Sequence, residues 1–99
     1  MQFIVQENEI ELNNGICSIY FYSNWMPFHK KMLVILDKME NKYKDIKHFA
    51  IDIDQLKTTI KRFNIESVPT TLIFKDGKEI KRIIGIVLTS AMRSVYADI

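Results

Sequence analysis

Apolar positions along this chain switch between two spacings, and the switches mark its elements. Ile16 to Tyr22 is a nearly continuous run of apolar, β-branched and aromatic residues. Such a run predicts a central strand, buried on both faces and parallel to a neighbour. It stops at Ser23-Asn24, after which Phe28, Met32, Leu36, Met39 and Tyr43 recur every three or four residues, predicting a helix from about Trp25 to Lys44. Ser23 or Asn24 is its expected N-cap, and Pro27 falls in the first turn, where a missing N–H costs nothing. Ahead of this pair, Phe3 to Val5 reads as a short strand and Glu7 to Asn13 as a short helix closed by Asn14-Gly15. Ile46 to Ile53 is a second buried strand. Asp54 stands where it can cap a helix from Gln55 to Phe63, and Asn64 suits the left-handed position after it, with Ile65 packing back. Thr70 to Lys75 and Lys78 to Ile84 flank Asp76-Gly77, a strong hairpin signal because a type I′ turn needs positive φ at both central residues. Gly85 ends the second arm. Met92, Val95, Tyr96 and Ile99 then outline a last amphipathic helix from Thr89 onward.

The order β-α-β-α-β-α-β-β-α predicts an α/β fold. A parallel βαβ unit joins an antiparallel hairpin in one mixed sheet of four to five strands, with helices on both faces. At 99 residues the chain is expected to be a single domain, spanning 1–99. The net charge of +2 comes from interspersed acids and bases, which gives no support to nucleic-acid or membrane partners. No apolar run approaches the roughly 20 residues that span a bilayer, and the first residues lack the pattern of a signal peptide. The single cysteine, Cys17, excludes an intramolecular disulfide and points to a reducing, cytoplasmic setting.

A strand that feeds a helix through a short connection presents the helix start at the sheet edge, where open α/β sheets build their sites. That places Trp25, Met26, Phe28 and His29 in a working position. Two separated segments then carry a resemblance. Phe21-Tyr-Ser-Asn-Trp25, followed after four residues by Lys30, resembles the active-site segment of thioredoxins, in which an aromatic strand and a Trp precede Cys-x-x-Cys-Lys. Phe63-Asn-Ile-Glu-Ser-Val-Pro-Thr-Thr-Leu-Ile-Phe-Lys-Asp-Gly77 resembles the family's Val-Pro-Thr loop and hairpin, and Asp52-Ile-Asp54 is similar as well. The resemblance covers nearly the whole chain and implies the thioredoxin fold. It also implies a cis Val68–Pro69 bond and a loop lying against the Trp25–His29 turn.

The chemistry departs from the family. Dithiol exchange needs a low-pKa thiolate at the helix start and a second thiol three residues on. Met26 and His29 stand at those positions. Tyr20 replaces the family's buried strand carboxylate, and Val34 its helix proline. Trp25, Met26, Pro27, Phe28 and His29 thus form a degenerate active-site motif, with no catalytic residue, cofactor or metal expected. Cys17 reads as a buried, inert thiol, and His48 as structural or solvated. His29 is expected to be neutral at a helix start, either as a satisfied half-buried ring or, with Met26 on one helical face, as half of a soft metal site. Trp25 and Phe28 read as core residues, or else Trp25, Met26 and Pro27 form an exposed apolar knob beside Val68-Pro69. In the latter case the resemblance to thioredoxins implies that Trp25, Met26, Val68 and Pro69 bind an extended peptide, with Val68, before the proline, supplying backbone hydrogen bonds as in strand addition. The expected function is a redox-inactive binding or adaptor module. The alternatives are a self-associating homodimer subunit, or a non-redox site that uses His29 with Met26 for acid/base chemistry or to hold a metal.

Overall fold

β2 (Ile16–Tyr22) is the middle strand of five in a computed structural model that describes residues 1–99. Its side chains alternate between two cores, as a period of two requires. Cys17, Ile19 and Phe21 join one cluster with Ile4, Phe49, Ile51, Phe63 and Leu72. Tyr20 and Tyr22 join the other with Met32, Leu36, Met39, Met92 and Tyr96. Burying each such Leu, Ile, Met or Phe side chain contributes about 1.5–3 kcal/mol.

The sheet runs in the order β1 (Gln2–Phe3), β3 (Lys47–Asp52), β2, β4 (Thr70–Lys75), β5 (Lys78–Ile84). β1, β3 and β2 are parallel, while β4 and β5 are antiparallel to their neighbours. α1 (His29–Lys42) and α3 (Thr89–Ala97) supply the core on the Tyr20 face; α2 (Thr58–Arg62) lies toward the Cys17 face. The predicted mixed sheet, with helices on both faces, is what forms.

Local chemistry explains several details. Asp76 (φ 48°) and Gly77 (φ 85°) form the tight hairpin turn. Asn64 takes the left-handed conformation (φ 53°), and Ile65 N–H donates to the Ile60 carbonyl at 2.8 Å, closing α2 as a Schellman motif. The Val68–Pro69 bond is cis.

Elsewhere the boundaries differ from expectation. α2 begins at Thr58 rather than Gln55 because Asp52, not Asp54, organises the connection. Its Oδ1 accepts from the Asp54 N–H at 2.8 Å, and its carbonyl accepts from Gln55 and Leu56. The Asp54 carboxylate is engaged instead by the Ser23 hydroxyl. Only Glu7–Glu9 coils, as a single 3-10 turn, where the Glu9 carboxylate takes the N–H groups of Val5 and Gln6 at 2.9 and 2.8 Å. β1 is correspondingly two residues long, and Val5 leaves the sheet exposed.

Candidate functional site at the β2–α1 turn

The apolar run of β2 ends at Ser23, and the six residues from there to Phe28 form turns rather than the first coils of a helix. Met26 N–H closes one turn on the Ser23 carbonyl at 3.1 Å. Phe28 then sits in the left-handed region (φ 64°), and α1 begins at His29 with Phe28 as its N-cap. A bulky residue costs about 1–2 kcal/mol there. The predicted helix start at Trp25, with Ser23 or Asn24 as cap and Pro27 in its first turn, is therefore corrected. The left-handed residue breaks the helical phase, so residues 25–28 do not continue the apolar stripe of Met32, Leu36 and Met39.

That break sorts the motif. Trp25 is 75% exposed, Phe28 60%, and Pro27 is exposed too. Met26 instead turns inward to 6% exposure and packs with Tyr22 and Met32. The expected knob thus loses Met26 to the core, since an unbranched thioether fills the gap beneath the turn. The expectation that Phe28 shares a core stripe with Met32 is corrected in the opposite direction. Met26 and His29 also share no helical face, because Met26 lies outside α1.

His29 is half-buried and stacked on Tyr22, with ring centroids 4.4 Å apart, and Tyr22 stacks in turn on Tyr20 at 5.4 Å. The His29 Nδ1 lies 3.0 Å from the Tyr20 hydroxyl. Tyr20 is 1% exposed, and burial drives its hydroxyl pKa well above the ordinary range. It keeps its proton; a buried O–H needs an acceptor, and Nδ1 is the one in reach, which assigns the His29 proton to Nε2. Burial lowers the His29 pKa, opposed by the charge of Asp52. The expected half-buried ring with a hydrogen-bond partner is what the structure has, and its burial disfavours the charged form. Tyr20, at the position of the family's buried carboxylate, holds this imidazole.

Cys17 is fully buried on the opposite face of the sheet, and burial raises its thiol pKa. His48 is 5% exposed, so it is structural rather than solvated. Its Nε2 donates to the Tyr43 carbonyl at 3.2 Å, and its Nδ1 accepts from the Ser18 hydroxyl at 3.1 Å.

The loop before β4 is held from three sides. Arg82 donates to the carbonyls of Phe63 and Asn64 at 2.8 and 3.0 Å while its guanidinium also pairs with Glu79. Thr70 Oγ1 donates to the Ser67 carbonyl at 2.7 Å, and Gly85 N–H to the Pro69 carbonyl at 2.8 Å. Pro69 is buried and Val68 half-buried, packing on the cluster that contains Met26 and Tyr22. The loop and the Trp25 turn therefore share one underlying core. Neither the N–H nor the C=O of Val68 has a partner in the chain. Gly85 is flanked by Ile84 and Ile86, 60% and 45% exposed, and its bond to Pro69 brings that apolar pair beside the loop. Sequence reading did not single out Ile84, Ile86, Arg82 or the Tyr22 stack. A glycine between two isoleucines at a strand end was the available signal for the first two.

A mixed five-stranded sheet, with a cis-proline loop and a strand-to-helix turn resting on one core, defines the thioredoxin class of α/β proteins. Comparison with known proteins agrees. The Thioredoxin family model matches residues 4–97, and the chain belongs to that family. Thioredoxin H2 of Arabidopsis thaliana is 33% identical over 78 residues, which is 79% of this chain and 59% of that protein's length. The thioredoxin of Chlamydia trachomatis is 28% identical over 87 residues, covering 87% of this chain and 85% of the other. Among solved structures, oxidised thioredoxin from Plasmodium falciparum superposes with a TM-score of 0.89 at 19% identity, over 98% of this chain and 95% of that one. Mitochondrial thioredoxin 3 of Saccharomyces cerevisiae gives 0.88 at 25% identity, over 100% and 95%.

Proposed function

We propose that this thioredoxin-family chain binds an extended peptide segment of another protein and has no dithiol–disulfide exchange of its own. One observation carries the reading: the backbone N–H and C=O of Val68 are unpaired, on a loop that shares its core with the exposed Trp25 turn. An unpaired donor and acceptor on one residue fit the main chain of a strand laid alongside. Trp25, Phe28, Ile84 and Ile86 offer apolar contact on either side, with Met26 supporting the turn from beneath and Pro69 shaping the loop. The chemistry argues the same way. A thioether has no proton to lose, an imidazole cannot resolve a mixed disulfide, and Cys17 is buried on the far face with a raised pKa. Met26 and His29 are also poorly suited to hold a metal, since the thioether is buried and Nδ1 is taken by Tyr20.

The test is selection of binding peptides from a displayed random library, followed by calorimetry. Trp25→Ala is expected to cost about 2 kcal/mol, roughly a thirtyfold weakening, as a central aromatic anchor does. Val68→Asp should weaken binding as well. Unchanged affinity in both variants would rule out the groove, and insulin reduction above background with dithiothreitol would overturn the redox claim. The same exposed apolar residues also suit a homodimer, which light scattering at increasing concentration distinguishes.

A further inference from the structure

A second surface, separate from the Val68 loop, lies between α1 and α3. Lys31, Val34, Ile35 and Lys38 share one face of α1 at helical spacing, and together with Leu88 and Arg93 they line a groove of about 470 Å³. Its floor is apolar, with Val34 56% and Leu88 65% exposed beside the buried Ile35. Its rim is cationic. Lys31, Lys38 and Arg93 are exposed and form no ion pair within the chain, although four such pairs form elsewhere. No acidic residue lines the groove, and the first turn of α3 carries none. The acids of α1 are turned elsewhere, with Asp37 and Glu40 lining a different groove beside Met1 and Phe3. The interspersed charges of the sequence are thus sorted by face in the fold, and the net charge of +2 conceals a local excess of three.

We infer that this groove docks an acidic polypeptide segment of a partner protein, one whose carboxylates alternate with aliphatic side chains. The carboxylates meet Lys31, Lys38 and Arg93, and the aliphatic groups cover the exposed Val34 and Leu88. A simple inorganic anion leaves that apolar floor uncovered. A nucleic acid needs a longer run of cations to track its phosphates. Complementary charge at an open rim sets partner choice and encounter rate, while the apolar floor supplies contact area.

The test is an NMR titration of the isotope-labelled full chain. The probes are a short peptide of alternating glutamate and leucine and its counterpart with glutamine in place of glutamate. The glutamate peptide is expected to move the amides of residues 31–38 and 88–93 saturably, with an affinity that falls as salt is raised. The triple variant Lys31→Gln, Lys38→Gln, Arg93→Gln changes only exposed side chains and should bind the peptide about tenfold more weakly, as three solvent-exposed ion pairs imply. Equal binding of the glutamine peptide would overturn the charge argument. Shifts confined to Trp25, Val68 and Ile84 would overturn this site while leaving the proposed peptide groove standing. Displacement of the peptide by an equal concentration of inorganic phosphate would reduce it to a plain anion site. Concentration-dependent shifts at the same residues without peptide, together with dimer mass in light scattering, would assign the groove to a second copy of the chain.

Discussion

The Tyr20–His29 pair allows a sharp test of the site, because its two halves differ in burial. Tyr20→Phe removes one hydroxyl that donates to Nδ1 at 3.0 Å and keeps the ring stacked on Tyr22. His29 is half-exposed, so water can replace the lost donor, and the expected cost is a net hydrogen bond, about 1 kcal/mol. His29→Ala does the reverse. It strands the hydroxyl of a residue only 1% exposed and removes the ring stacked at 4.4 Å on Tyr22. An unsatisfied buried donor costs about 1–3 kcal/mol, and a lost aromatic contact about 0.5–1.5 more. His29→Ala should therefore destabilise by roughly twice as much as Tyr20→Phe or more. In the Tyr20→Phe background that cost should fall by about 1 kcal/mol, because no hydroxyl is left to strand. Urea unfolding followed by circular dichroism measures all four chains, the parent included; Trp25 fluorescence is a poor probe, since that ring is 75% exposed in the folded state. Strictly additive costs in the double variant would refute the hydrogen bond. A nitrogen shift pattern showing the His29 proton on Nδ1 would refute the assigned direction of donation.

Three further outcomes follow from the same structure. Burial lowers the pKa of both His29 and His48 below the usual 6.5, so the unfolded chain takes up protons first on acidification. The stability these rings contribute is complete above that value and declines as the pH falls below it. The urea midpoint should thus drop between about pH 7.5 and about pH 5.5, and an unchanged midpoint would contradict the burial argument. Glu7, Glu9 and Glu79, each held below 4.5 by hydrogen bonds, add to the loss only below that pH. The Tyr96 hydroxyl is buried with no hydrogen-bond partner, and burial, opposed by the Ser18 side chain, pushes its pKa up to about 12. Tyr96→Phe should accordingly stabilise the protein by about 1 kcal/mol, read as a higher urea midpoint with unchanged slope; destabilisation of that size would reveal a bond to Ser18. Gly77→Ala places a Cβ 3.2 Å from Asn13 Oδ1 at φ 85°, and should cost about 1–2 kcal/mol in the same assay. A neutral result would mean that the hairpin turn can change type.

The order of elements was legible because burial imposes a spacing of two on strands and 3.6 on helices, and both are visible in one dimension. The same holds for Asp76-Gly77 and Asn64, where the backbone conformation depends on the residue itself. The absence of a thiol pair was legible because reactivity belongs to the side chain present, and positions 26 and 29 carry Met and His. Periodicity could not show that Phe28 turns left-handed, and so could not show that Met26 faces inward while Phe28 faces water. One residue with positive φ resets the phase of everything before it. Nor could it show that α2 starts only at Thr58, without a side-chain cap, because Asp52 rather than Asp54 organises the connection before it. Both carboxylates were available, and the tertiary partner Ser23 claimed one of them. The Tyr20–His29 bond, the Ile84–Ile86 flank of the Pro69 loop and the meeting of Lys31, Lys38 and Arg93 all join segments that only the folded sheet brings together. Local pattern is written into each stretch by its own burial, but a site is made of distances between stretches, and those exist only once the chain has closed on itself.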